Sequence, residues 1–526
     1  MATNTRAGNT EKPRRKLALV IGIGEYENSL NLKRNEMKHT LIDFEDSIQS
    51  GDMILFYFSG NGAQWELVDE GKMGLLAIIV LYTLTLSVTT LPIGNKSESA
   101  IVIDKFEIAP VWAGDPVPFA LLTQAPYQYI AYYDAERQMT VVQRNLNERT
   151  WTTTKLGIIT DWDAHKYISM AIDDDGYLHL VGNVHASPLI YLRTAQSRNA
   201  STFVKLNRMV GMNETSSTYP IFFRGPENEF IFTYRDGRSG DGNQIYNIYD
   251  LKTKTWRRLL DKPLTDGEGK RNAYFNGPIL GPDGYFHLAW VWRESGDCST
   301  NHDLSYARSK DLVSWETSTG KPLKLPITLE TCEIVDPVPQ HGGIINNNDR
   351  IGFDQQGRVT ISYHKNDANN YTQPWTARSE NGVWKKYQVT NWPYHWDFHG
   401  GGTIVFEINI YPVTKENDGN LIQQFNHIKF GNGTWSIDPE TLRATGTVQR
   451  ETIPPSLLKV EGTYPGLGVR FVEDSGQYNV TDTRFVIRWE SLNANGDQPR
   501  PPPYPSPSML RVYAIKVLWN NTFTSS

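Results

Sequence analysis

Two histidines twenty residues apart frame the most informative stretch of the chain. Residues 161–193, DWDAHKYISMAIDDDGYLHLVGNVHASPLIYLR, read as two short β-rich runs, MAI and YLHLVG, joined by the turn signature DDDG. His165 and His185 fall just outside the strand ends. His179 lies within the second strand, where alternation makes it a packing or rim position. Histidine is the side chain that gives or takes a proton most readily near neutral pH, and loops at strand ends are where rigid scaffolds mount such chemistry. Further on, Tyr219 and Arg235 are sixteen residues apart across one expected hairpin, so both can face one rim. Arg293 ends the run AWVWR and adds a second cation at a strand end. Each of these residues also has a plain reading, as a hydrogen-bonded loop histidine or a structural contact within a hairpin. Tyr219 precedes Pro220, which predicts an extended backbone at that position.

The elements that must position these residues repeat. From about residue 100 onward one phrase recurs: a turn with glycine, an alternating strand, a short loop and another strand. GYLHL (176–180) and GYFHL (284–288) are near copies, and EFIFTYRDG (229–237) and QGRVTISYHK (356–365) follow the same plan. The phrases keep no strict period. SKDLVSW (309–315) resembles a worn Asp-box, the hairpin turn of sialidase-like blades. A body of about 425 residues, divided into four-stranded blades of roughly 40 to 60, predicts an all-β propeller of seven or eight blades. A β-sandwich array or a β-helix is the alternative. Composition agrees: of 526 residues only 21% are charged, 12% are aromatic, and Trp and Gly number 15 and 42. A net charge of −6 gives no reason to expect nucleic acid as a partner. The Pro-rich run 498–507 reads as a surface loop or extended arm before the last strand.

The first 94 residues do not match this body. KLALVIGIGEY (16–26) and GDMILFYFSGNGAQWE (51–66) are buried-strand runs, and the pair resembles the opening strands of caspase-like peptidases. Where that family has Ser-Gly-His-Gly-Ala, this chain has Ser59, Gly60, Asn61, Gly62 and Ala63, and Asn61 cannot act as the base. The first cysteine is Cys298, so residues 1–70 are expected to be a non-catalytic α/β fragment. Residues 74–93 carry no charge, and 73–94 read as a signal-peptide-like or membrane-spanning segment. Sequons at Asn95, Asn199, Asn213, Asn370, Asn432, Asn479 and Asn520 add to an expectation of secretion, with membrane anchoring through 74–93 as the alternative. Cys298 and Cys332 leave three options open: a disulfide, free thiols, or a zinc site with His302. The first two are preferred.

Taken together, the His165/His185 spacing, GN-x-H at 182–185, the Tyr219/Arg235 spacing, WVWRE at 290–294 and NHDLSYARS at 301–309 resemble the BNR-like propeller polysaccharide lyases. That group includes ulvan lyases and fungal lyases that remove L-rhamnose from L-rhamnosyl-α-1,4-glucuronate caps. The resemblance runs from about residue 111 to the C-terminus. It implies β-elimination at a 4-linked uronate, with His185 and Tyr219 as the acid/base pair and His165, Arg235 and Arg293 neutralising the substrate carboxylate. Asn183 and His302 join Arg293 as implied substrate contacts. The implied protein is a secreted monomer acting on an acidic polysaccharide. It requires no cofactor, and structural zinc or calcium is not expected. A propeller α-L-rhamnosidase and a non-catalytic glycan-binding propeller, stacking sugars on the loop NWPYHWDFH (391–399), are the competing classes.

Overall fold

The computed structural model describes residues 16–22, 53–59, 97–450, 452–476 and 483–520. The chain divides into two compact units, 1–94 and 95–526. In the first, Lys16–Gly22 and Met53–Ser59 pair as parallel strands, where the apolar runs place them. The turn at Asn61 and the apolar stretch 74–93 lie outside the described residues. Among the described residues no helix is long and apolar enough to cross a membrane.

The second unit is built of seven antiparallel sheets, six of them formed from consecutive stretches of chain, which make a seven-bladed β-propeller. Blades 1 to 6 occupy residues 120–159, 168–206, 217–258, 272–336, 350–388 and 408–448 in chain order. Blade 7 takes its three inner strands from Gly468–Glu473, Thr483–Ser491 and Ser508–Asn520, and its outermost strand from the other end of the body, Ser97–Val111. That pairing closes the ring without a covalent link, by placing a strand from the start of the body in the last blade. Aromatic and branched side chains fill the space between blades. At the seam, Trp489 of blade 7 stacks on Phe119, 4.4 Å between ring centres, just ahead of blade 1.

The two near-copy phrases turn out to be one device used twice. In blade 2, His179 is buried between the Tyr191 hydroxyl, 2.8 Å from Nδ1, and Asp173, 3.2 Å from Nε2. In blade 4, His287 sits between the Tyr306 hydroxyl at 2.6 Å and Asp283 at 2.9 Å. A turn aspartate, a second-strand histidine and a third-strand tyrosine thus clamp each blade. His179 is a packing residue. The Asp-box keeps its form too: Asp311 Oδ1 accepts from the backbone N–H groups of Val313 and Ser314, and Trp315 is buried beneath the turn.

Three inner strands carry a β-bulge at an X-Pro pair: Tyr219-Pro220, Gly277-Pro278 and Tyr411-Pro412. Proline has no N–H to give to the ladder, so two residues there face one on the partner strand. The expectation of extended backbone at Tyr219 fails for this reason. Its φ is +56°, and the bulge swings the side chain out of the sheet.

The two cysteines are free, which removes the disulfide option. Cys298 belongs to the core around Ile345, Trp396 and Phe398, whereas Cys332 packs on the core between blades 3 and 4, near Ser305. The two thiols therefore lie in separate clusters.

Candidate active site

A cavity of about 380 Å³ opens on the face where the inner strands begin and the second strands end. That topology gathers residues distant in sequence. His165 precedes the first strand of blade 2 and His185 follows its second, while Tyr219 comes from the bulge in blade 3. Tyr274 stands on the inner strand of blade 4, and Arg293 ends that blade's second strand. All five line the cavity.

The two imidazoles stack, with ring centres 4.0 Å apart. Asp163 serves both. Its Oδ1 accepts from the His165 backbone N–H at 2.9 Å and lies 3.0 Å from His165 Nδ1, while its Oδ2 lies 2.5 Å from His185 Nδ1. This bond assigns the neutral His185 tautomer: Nδ1–H donates to Asp163 and Nε2, on the far side of the ring, keeps its lone pair. His165 is different. Burial favours its neutral form, but Asp163 and Asp497, the latter 3.1 Å from the same Nδ1, outweigh burial and raise its pKa to about 9. Near neutral pH one ring is therefore a cation. Asp163 itself is held well below the usual carboxylate range: burial would raise it, and its bonds to the two histidines outweigh that.

Beside the histidines stand two phenols, Tyr219 and Tyr274, with ring centres 5.8 Å apart. Burial pushes Tyr219 up, so it holds its proton. Burial acts on Tyr274 in the same sense, but Arg235 and Arg293 overcome it and the net direction is down. The Tyr274 hydroxyl lies 2.6 Å from Ser239 Oγ and 3.3 Å from Arg235 Nη1. Arg293 is anchored by Nε to the Ser295 carbonyl at 2.9 Å, by Nη1 to Asn346 at 3.4 Å and by Nη2 to the Gly296 carbonyl. Three of the five guanidinium N–H groups are thereby used, and two remain for an anion in the cavity.

Three expected site residues are placed elsewhere. Arg235 is only 1% exposed and lies behind the phenols, bonded to Tyr274 and to Thr218 Oγ1, so it supports the tyrosines and does not line the cavity. Asn183 is in the left-handed region, φ +59°, and gives its side-chain N–H to the Ile159 carbonyl. His302 is buried between Glu294 and Asp303, at 2.8 and 2.9 Å, which also removes it from any site with the cysteines. Conversely, Asp163, Tyr274, Thr403 and Asp497 belong to the site and were not singled out in the sequence. Only Asp163, two residues before His165, carried a local signal. The donor atoms of Asp163, His165, His185 and Asp497 lie within 4.8 Å of one another. Hydrogen bonds between imidazole and carboxylate account for these distances, and the chemistry below uses none of the four as a metal ligand.

A family model described as BNR repeat-containing family member matches residues 127–392, from blade 1 through blade 5. The chain belongs to the BNR repeat-containing family. Among solved structures, this BNR-repeat propeller is similar to polysaccharide lyase Uly1, with a TM-score of 0.53 and 13% identity over 79% of this chain and 99% of that one. A PL25 ulvan lyase gives 0.51 and 13% over 78% and 94%, and a structure of such a lyase bound to -[GlcA(1-4)Rha3S]- gives 0.50 at the same identity and coverage. At this identity the likeness is one of fold. No curated protein sequence matches the chain.

Proposed function

We propose that this BNR-repeat protein is a polysaccharide lyase that cleaves a 4-linked uronate by β-elimination. The observation that carries the reading is the convergence in one cavity of an imidazole whose Nδ1 is backed by Asp163, a second imidazole held as a cation, a protonated phenol and an arginine with N–H groups to spare. The C5 proton of a uronate is too weakly acidic to remove while the neighbouring carboxylate is charged and unpaired. Arg293 and cationic His165 neutralise that carboxylate and stabilise the charge that develops on it. His185 Nε2 then takes the C5 proton. The C4–O bond breaks with its electron pair leaving on O4, Tyr219 protonates that oxygen, and a C4=C5 double bond remains. Proton return from His185, through water, resets the tyrosine. Arg235 acts through the tyrosines it holds.

Hydrolysis by paired carboxylates is less well supported, since Asp163 and Asp497 are both committed to histidines. The substrate we favour is the rhamnosyl-α-1,4-glucuronate end of a plant-type arabinogalactan, on the resemblance in sequence; ulvan, the polymer named for the similar structures, is the alternative. The uncharged stretch 74–93 and the sequons support a secreted enzyme.

Mass spectrometry of products from gum arabic and from ulvan tests the reading. Elimination leaves the uronate-bearing end one water lighter than hydrolysis does, while the fragment that departs on O4 has the same mass in both. A uronate end of full hydrolytic mass would refute the lyase assignment, and the polymer that responds names the substrate.

A further inference from the structure

We infer that Asp497, delivered by the arm that joins the second and third strands of blade 7, is a positioning residue for His165, and that this arm is a working part of the catalytic site. The inference rests on the lyase reading for its consequence in catalysis, but its geometry stands alone. The arm, residues 492–507, reaches across to the connection that enters blade 6. Gly496 N–H donates to the Thr403 carbonyl at 3.1 Å, and Thr403 N–H donates to Asp497 Oδ2 at 3.0 Å. The contact is close enough to demand glycine on its other side: Gly402 has φ +74°, and a Cβ there would stand 2.4 Å from the Gly496 carbonyl oxygen. From this clasp, Asp497 Oδ2 and Thr403 Oγ1 both reach His165 Nδ1, at 3.1 and 3.0 Å.

The charge arithmetic of the site needs this second carboxylate. Asp163 is shared between two imidazoles, with its shorter contact to His185. One anion divided in this way leaves a buried imidazolium under-compensated, and burial alone favours the neutral ring. Asp497 supplies the missing charge from a side chain 11% exposed whose other oxygen has no partner. The remaining ionisable groups facing this pair are His185, Tyr219 and Tyr274 around His165, and Asp115, which feels both Asp497 and Asp163 and is itself near Arg500 and Arg470. Asp115 is raised to about 7 by burial first, then by Asp497 and Asp163. It therefore yields its charge before either of them does. Both Thr403 and Asp497 fall beyond the family match at 127–392, so the repeat region alone does not complete the site.

Histidine NMR titration of the full chain, which has eleven histidines, tests this directly, with the His165 signal assigned by its loss in His165→Gln. In the wild type that signal titrates alkaline of an ordinary histidine. In Asp497→Asn, which keeps size and acceptor oxygen but removes the charge, the midpoint is expected to fall by about one unit or more. Thr403→Val removes a hydroxyl from the same nitrogen without removing charge and is expected to leave the midpoint in place, as is the conservative Asp497→Glu. The alkaline limb of kcat/KM is expected to move with the midpoint in Asp497→Asn, with KM rising as kcat is retained on the acid side. An unchanged midpoint in a folded Asp497→Asn would overturn the inference. So would an equal, pH-independent loss of activity in Asp497→Asn and Thr403→Val, which marks a merely structural clasp. Because the titration needs no substrate, absence of lyase activity would refute the proposed function and leave this result readable.

Discussion

Four of the histidines in the body form two contrasting pairs. His179 and His287 lie mid-strand, buried, with both ring nitrogens engaged by protein: Nδ1 faces a tyrosine hydroxyl and Nε2 an aspartate. His165 and His185 lie at strand ends, and each turns Nδ1 to a carboxylate, which leaves Nε2 on the far side of the ring. The same ring and the same kind of partner give opposite electrostatics. Burial lowers the pKa of His179 and His287 despite their aspartates, whereas two carboxylates raise His165 to about 9. Position along the strand, and which nitrogen the protein uses, separate a structural clamp from a reactive group.

The largest expected effect falls on the rim pair. His185→Ala is expected to lower kcat/KM by roughly 10²- to 10⁴-fold, the usual range for a positioned base, with little change in melting temperature. A variant that melts early would place His185 with the clamps. Next in size, Arg293→Ala is expected to reduce kcat/KM by about 10²- to 10³-fold, as for loss of one preorganised charge partner. Arg293→Lys should recover little of it, because an ammonium cannot reproduce the anchored fork. Steady-state kinetics on the responding polymer separates the two.

The clamps answer in stability. His287→Ala leaves Tyr306 and Asp283 without their shared partner and is expected to cost about 1–3 kcal/mol in denaturant unfolding, with activity per folded molecule unchanged. A fall in kcat for folded protein would erase the contrast. The smallest effect is in pH. A histidine raised from 6.5 to about 9 contributes stability that is fully present below 6.5 and is lost as pH rises through about 9. Activity should fall on the same alkaline limb, as the carboxylate-binding cation disappears, and kcat/KM profiles from pH 5 to 10 check it.

The sequence made the propeller legible because its signals are local: alternating strands, glycine turns and the GYLHL and GYFHL copies. Its blade number stayed between seven and eight, since irregular spacing and a blade assembled from residues 97–111 and 468–520 leave no period to count. The histidine, tyrosine and Arg293 positions were legible from type and spacing at strand ends. Tyr274 was not, because an inner-strand tyrosine looks like packing until its neighbour in space is known. Asp497 lies 332 positions from His165 and meets it only through the arm. Arg235 was expected at the rim from its hairpin spacing with Tyr219, and His302 as a contact from the family resemblance, and the fold buries both among protein partners. At Tyr219 the local rule for a residue before proline gave way to the bulge.

Ultraviolet absorbance of a uronan solution, followed side by side with wild-type protein and with His185→Ala, tests the central claim most directly. The double bond left by elimination is conjugated with the carboxylate and absorbs; a hydrolysed end does not. The account predicts a steady rise with the wild type and none above background with the variant. Depolymerisation without absorbance, or a rise that survives loss of His185, would contradict it.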